Sequence, residues 1–235
     1  ILLLIFFATT YCFSQEITGK ELLEKAIQYH DPNGNWKSFK GTLSITMETP
    51  KKPKRDSKIT IDLPNQYFQV IAKTGKNNTE YTIDKGKCHI KYNGESTISE
   101  KVKKEKNLNC ERANLYKNYY TYLYGLPMKL KDPGVIIHEQ VNLDKFMGEM
   151  YLVLKITYKK EVGKDSWYFY FDPESYKMEA YQFYHDEEKN DGEYILLTDF
   201  ETIEGIKMPK KRDWYYNKNQ QYLGTDMLNS VNKID

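Results

Sequence analysis

The sequence predicts a mainly β chain with a few helices, in which a curled antiparallel sheet forms a sandwich, a barrel or a half-open barrel with the helices packed against it. Three observations carry this. From Leu43 onward apolar residues recur with a period of two. Gly, Asn and Pro turn signals return at roughly 8 to 12 residue intervals, as in a meander rather than in βαβ units. Helical spacing is confined to one N-terminal stretch and one mid-chain segment.

The first element is the helix Gly19 to His30, where Leu22, Leu23, Ala26, Ile27 and His30 share a face and Asp31-Pro32-Asn33-Gly34 ends it. Leu43, Ile45 and Met47 then alternate with polar residues, as do Ile59, Ile61 and Leu63. Further strands are expected at Tyr67 to Lys73, Thr79 to Asp84 and Lys87 to Tyr92, broken by Gly75, Gly86 and Asn93-Gly94. Ser99 to Leu108 is charged and reads as either a short helix or a loop. Arg112 to Leu123 is a tyrosine-rich helix with Tyr116, Tyr119, Tyr120 and Leu123 along one face, ended by Gly125-Leu126-Pro127. Strands resume at Ile136 to Leu143, Met150 to Lys159, Trp167 to Phe171, Tyr176 to Tyr184, Tyr194 to Glu201, Ile206 to Tyr216 and Tyr222 to Leu228. Trp167, Phe169 and Phe171 fill one side of their strand and Tyr168 and Tyr170 the other, so both sides there call for cover. About a dozen strands curl to limit their edges.

Composition sets further bounds. The run Ile1 to Ser14 is apolar and uncharged, the length of a signal-peptide core and short of the ~20 residues that span a bilayer. Cys12 and Ser14 supply small side chains for a cut before Gln15, giving a signal peptide at 1–14 and a single exported domain at 15–235. The alternative, lipid modification of Cys12, has bulky Tyr11 against it. In an oxidising compartment the remaining Cys88 and Cys110 either form a disulfide, closing a loop of about 20 residues and adding roughly 3 kcal/mol, or stand as two buried thiols. Thirty-five basic against 33 acidic residues do not describe a nucleic-acid binder. The basic clusters at Lys51, Lys52, Lys54 and Arg55, at Lys101, Lys103 and Lys104, and at Lys210, Lys211 and Arg212 read as solvated turns or strand edges.

Chemistry-bearing patterns are sparse. No P-loop, Gly-x-Gly-x-x-Gly or Gly-x-Ser-x-Gly is present. His185-Asp186-Glu187 is the densest titratable group and His30-Asp31 the next, but no second cluster completes a metal-ligand set. Asp31-Pro32, Asp132-Pro133 and Asp172-Pro173 are turn makers. The expectation is therefore no enzyme, no cofactor and no metal. An aromatic helix against a curled sheet encloses either an apolar lumen or a solid core. The lumen candidates are Tyr116, Tyr119, Tyr120, Leu123, Trp167, Phe169 and Phe171.

The order of elements resembles the LolA superfamily of periplasmic lipoprotein carriers. The likeness rests on the opening helix, the strand with Gly41-Thr42-Leu43-Ser44-Ile45, and the helical insert. It also rests on Phe171-Asp172-Pro173 before Tyr176-Lys177-Met178, and on the hairpin Ile203-Glu204-Gly205-Ile206-Lys207-Met208-Pro209. Tyr116 through Leu130 is similar to the signature of an uncharacterised secreted branch. The resemblance implies a half-open barrel sheltering lipid or lipoprotein acyl chains. It implies a place in the periplasm or at the outer membrane of a Gram-negative envelope, with an outer-membrane partner as a further possibility. The other readings are an envelope interaction or sensing module whose lumen its own side chains fill and, third, an enzyme of unknown type that uses the His185 group.

Overall fold

A computed structural model describes residues 17–234, so the expected signal peptide, its cut before Gln15 and Cys12 lie outside the described residues. Helix α1 (Gly19–His30) starts at a capping box in which Thr18 and Glu21 satisfy each other's backbone N–H groups. It ends where the Asp31 carboxylate accepts the backbone N–H groups of Asn35 and Trp36 at 2.7 and 2.9 Å, turning the chain into a 3-10 turn, Asn35–Ser38.

Five strands follow: β1 (Lys40–Thr49), β2 (Lys52–Asp62), β3 (Tyr67–Thr74), β4 (Asn77–Asp84) and β5 (Lys87–Tyr92). Then come α2 (Glu100–Lys106), which settles the charged segment as a short helix capped by Ser99, and α3 (Cys110–Gly125). A second meander closes the chain: β6 (Val135–Phe146), β7 (Glu149–Tyr158), β8 (Ser166–Phe171), β9 (Met178–Asp186), β10 (Asp191–Ile203), β11 (Ile206–Tyr216) and β12 (Tyr222–Lys233). The hairpin between β10 and β11 turns on Glu204 and Gly205 alone, at φ 49° and 79°, the two left-handed residues that a twist-matched two-residue turn needs. Tyr176, expected to open β9, instead sits in the preceding turn at φ 63°, where the Asp172 carboxylate accepts the Ser175 N–H.

All twelve strands form one antiparallel sheet in the order β5-β4-β3-β2-β1-β12-β11-β10-β9-β8-β7-β6. Every pairing but one joins sequence neighbours. The exception, β1 with β12, welds the two meanders together. β5 and β6 are left as edges, so the barrel is open.

Curvature follows from what α3 reaches. Tyr116 packs on Tyr81 of β4, ring centroids 5.6 Å apart, and Tyr122 on Trp167 of β8, 5.4 Å apart. Those strands are eight positions apart in the sheet, about 38 Å if it were flat. The two tyrosines are separated by only ~9 Å of helix rise. The sheet therefore wraps around α3, as the half-open barrel requires. α1 closes the other end of the same face, where Gly19 passes so close to the His138 carbonyl that a Cβ would stand 2.0 Å from its oxygen.

The main core lies between helices and sheet, from Leu22, Leu23 and Trp36 through Leu43, Ile59 and Phe68 to Phe169, Phe171 and Ile195. On the outer face, Val153, Tyr170 and Ala180 form a small second cluster under Phe146 of β6, which stacks on Tyr170 at 4.2 Å. That supplies the expected cover on the second side of β8. No helix among the described residues is long and apolar enough to cross a membrane.

Candidate functional site beneath the tyrosine helix

Helix α3 is held at both ends. Asn109 caps its start by accepting the Arg112 N–H at 2.8 Å, and Cys110 is disulfide-bonded to Cys88 of edge strand β5. At its end Gly125 lies against the Trp36 indole, where a Cβ would come within 2.5 Å of ring carbons. Trp36 is itself buried and has little room to retreat. Gly125→Ala is expected to cost about 1–3 kcal/mol by overpacking, read as a lower urea midpoint at unchanged slope. An unchanged midpoint would show that the Trp36 contact does not fix the helix end.

The helix face turned to the sheet is aromatic and hydroxylated. Tyr120 and Leu123 are buried, while Tyr116 and Tyr119 are partly buried. Tyr116 and Tyr120 stack at 6.1 Å and Tyr119 meets Tyr120 edge-on at 5.1 Å. Tyr122 shares a hydroxyl–hydroxyl bond with Tyr158 of β7 and meets Trp167, which stacks on Phe183 at 4.8 Å. Phe169 and Phe171 point into the same core at 0% exposure.

The seven residues named from sequence are thus brought to one face between α3 and the sheet. Tyr120, Leu123, Phe169 and Phe171 are packed there at 0–4% exposure, while Tyr116, Tyr119 and Trp167 keep part of their surface accessible. Tyrosine rings projecting from α3 are long enough to cross to the sheet, as the contacts of Tyr116 with Tyr81 and of Tyr122 with Trp167 show.

Beneath the rings lies a group that the sequence reading missed. Arg55 of β2, Met47 of β1, Asp226 of β12 and Arg212 of β11 are successive cross-strand partners, so their side chains form one row on the helix-covered face. Arg212 is 1% exposed and Asp226 2%. Arg212 donates to the carbonyls of Pro209 and of Leu123 in α3, at 3.1 and 3.3 Å, and its guanidinium lies 4.0 Å over the Tyr124 ring. Arg55 donates to the Tyr120 hydroxyl at 3.2 Å, and Tyr119 donates to Asp226 at 3.1 Å.

The expectation that the clusters containing Arg55 and Arg212 are solvated is therefore corrected for these two arginines. The signal was present in parity. Arg55 shares its strand face with Ser57, Ile59 and Ile61, and Arg212 with Ile206, Met208 and Trp214. A cation on an apolar face needs a buried partner, and runs of lysine beside both arginines masked it.

Electrostatics follow from burial. Desolvation raises the Asp226 carboxyl above its ordinary range, against the pull of Arg55 and Arg212. Desolvation also pushes the Tyr120 hydroxyl up to about 12 and Tyr119 well above its ordinary value, so both stay neutral donors. Arg55 Nε, Arg212 Nε and the Tyr124 and Tyr181 hydroxyls are buried without a hydrogen-bond partner of good geometry.

Elsewhere, the His185 group is occupied locally. His185 pairs with Asp165 at 2.8 Å, Asp186 with Lys189, and Glu187 with Lys155 at 2.8 Å. His30 is a fully buried core residue rather than part of a cluster with Asp31. Among the described residues no three His, Cys, Asp or Glu side chains gather as a metal site.

A model described as "Family of unknown function (DUF6503)" matches residues 1–230. No curated protein matches the chain in sequence. Among solved structures it is similar to a LolA superfamily protein from Nitrosomonas europaea, at 13% identity over 93% of this chain and 94% of the other, with a TM-score of 0.51. It is also similar to a DUF1329 family protein from Desulfovibrio piger, at 11% identity over 92% and 93%, TM-score 0.51. At these identities the likeness establishes a LolA-like fold and nothing finer.

Proposed function

We propose, from the premise that this chain belongs to the family of unknown function DUF6503, that it is a cell-envelope binder of an apolar ligand, a lipid or lipoprotein acyl chain. It acts by binding and not by catalysis, and the described conformation is its closed form, with the tyrosines of α3 standing where the ligand would lie.

The observation that carries this reading is the character of the contact between α3 and the sheet. Besides ring stacking it is held by Arg212 to Leu123, Arg55 to Tyr120 and Tyr119 to Asp226. Several buried polar atoms there are unpartnered. A hydrogen bond exchanged with water changes stability by only about 1 kcal/mol, whereas a buried group left unpaired costs ~1–3 kcal/mol. Lifting the helix thus relieves costs as well as breaking bonds. An acyl chain entering the vacated trough contributes about 0.8 kcal/mol per methylene. The Cys88–Cys110 disulfide keeps the start of α3 tethered to β5, so the Gly125 end is the one that moves. The exported, periplasmic or outer-membrane-associated location belongs to the same proposal.

The complete burial of Phe169 and Phe171 favours a second reading, a module with a permanently filled interior that contacts another envelope protein. One experiment separates the two. Delipidated full-length protein is mixed with vesicles of phosphatidylethanolamine and phosphatidylglycerol, repurified, and studied by native mass spectrometry and hydrogen exchange. The binder should carry a phospholipid-sized adduct and exchange faster across 112–125. A clean apo mass with unchanged exchange in α3 would sink the lipid reading in favour of the second.

A further inference from the structure

The outer face of the sheet, opposite both helices, carries a second organised surface. Cross-strand pairing places Lys155 of β7, Tyr168 of β8, Gln182 of β9, Tyr194 of β10, Tyr215 of β11 and Tyr222 of β12 in one continuous row. Cross-strand partners share a face, and their odd–even neighbours Phe169, Tyr181 and Ile195 are the ones in the main core, so this row points away from the helices. At its β8–β9 end lies a groove of about 320 Å³. It is lined by Tyr168, Tyr170, Gln182 and Tyr184 of β8 and β9 and by Asp144 and Lys145 of β6.

The groove is built rather than incidental. Tyr170 donates to the Gln182 side-chain oxygen at 2.7 Å, and Gln182 donates to Asn217 at 3.0 Å, which in turn donates to the Phe183 carbonyl at 2.9 Å. Tyr168 donates to Glu187 at 3.0 Å while Lys155 holds the other oxygen of that carboxylate at 2.8 Å. Tyr168 and Tyr184 set their rings edge to face at 5.7 Å. Ring and amide orientations are thus settled before any ligand arrives, which removes much of the ordering cost of binding.

We infer that this groove binds a neutral, hydroxyl-rich oligosaccharide. The side chains match the two faces of a pyranose. Aromatic rings offer a flat, electron-rich surface to its C–H face. The Asp144 carboxylate, the Lys145 ammonium and the Asn190 amide oxygen, which line the groove, and the remaining lone pairs of Glu187 offer donors and acceptors to its hydroxyl rim. Charge excludes the obvious competitor, an anionic headgroup. Lys145 and Lys155 are balanced by Asp144 and Glu187, so the groove carries no net charge to attract a phosphate. A proline-rich peptide would use the rings but leave the oriented amide and carboxylate unmatched. Beyond the groove the row is covered at Tyr194, which is 3% exposed and stacked on Tyr215 at 5.0 Å, so the groove itself is the site.

The test uses full-length protein with cellohexaose, maltohexaose and chitohexaose as probes and a decaproline peptide as the competing class, by titration calorimetry. At least one hexaose should bind in the millimolar range or tighter. Tyr168→Ala and Tyr184→Ala, at partly exposed positions, should each weaken it about tenfold or more at an unchanged urea midpoint. Lys20→Ala, exposed on α1 at the opposite face, should leave it unaltered. Binding of none of the hexaoses, binding that survives both tyrosine substitutions, or binding of decaproline alone overturns the proposal.

Discussion

Replacing Asp226 with alanine is expected to destabilise the protein by about 1–3 kcal/mol, because it leaves the Tyr119 hydroxyl without its acceptor and removes the carboxylate from a row that holds Arg55 and Arg212. The carboxylate stands between Arg55 and Arg212 in one cross-strand row and is 2% exposed. Burial works against its own ionisation, so its value lies in what it does for the cations and for the Tyr119 hydroxyl. Two comparisons make the result interpretable. Asp226→Asn keeps a partner for Tyr119 while removing the charge and should cost roughly half as much. Asp226→Leu combined with Arg212→Leu removes the anion and its cross-strand cation together and should cost less than the sum of the two single changes, since the two charges act on each other across the row. Equilibrium urea unfolding reads all three. If the alanine variant unfolds within about 0.5 kcal/mol of the parent, a range typical of surface substitutions, the row is not an electrostatic unit. The account of how α3 is held would then need a different basis.

Mild acid should weaken the protein through a single histidine. His30 ends α1 and is 0% exposed. Its Nε2 receives the Met178 backbone N–H at 3.0 Å, which requires that nitrogen to be unprotonated, and its Nδ1–H donates to the Lys207 carbonyl at 2.7 Å. Burial, with the charges of Lys207 and Lys177 adding to it, pushes the imidazole down to about 4 from its ordinary 6.5. The unfolded chain therefore binds a proton between those values that the folded chain refuses. Stability is full above about pH 6.5, falls as the pH drops toward 4, and levels below that. The loss is roughly 3 kcal/mol, at 1.36 kcal/mol for each unit of pKa difference. Because His30 pins α1 across β9 and β11, the first consequence should be loosening of that helix, seen as faster hydrogen exchange over 19–30 at pH 5. His30→Gln should flatten the stability profile in this window. Identical slopes for the two proteins between pH 6.5 and 4 would refute the assignment.

Much of the fold was legible in one sequence. The bounds of α1 and β11 emerge at the residues expected, since both are bracketed by strong punctuation: the capping residues and Asp31-Pro32 in one case, Glu204-Gly205 in the other. The tyrosine face of α3 was readable because helical spacing survives in the residue types alone. Less legible were the charged strands. Arg212 reads as a surface residue in a run of lysines, and the groups that make its burial tolerable, the Leu123 carbonyl, the Tyr124 ring and Asp226 on the next strand, are distant in the chain. The outer tyrosine row was equally hidden, because it exists only when five strands are set side by side.

What the sequence determined by itself is local: where helices start and stop, which residues alternate, where the chain turns, and hence the strand count of a curled antiparallel sheet. These depend on backbone sterics and on periodicity within a few residues. The tertiary structure alone decided how the rings of α3 meet the sheet, that two arginines and an aspartate lie in one row beneath them, and that polar aromatic side chains line up on the opposite face. Those outcomes depend on cross-strand register and on how far a ring reaches across a curved sheet. No single stretch of chain encodes either.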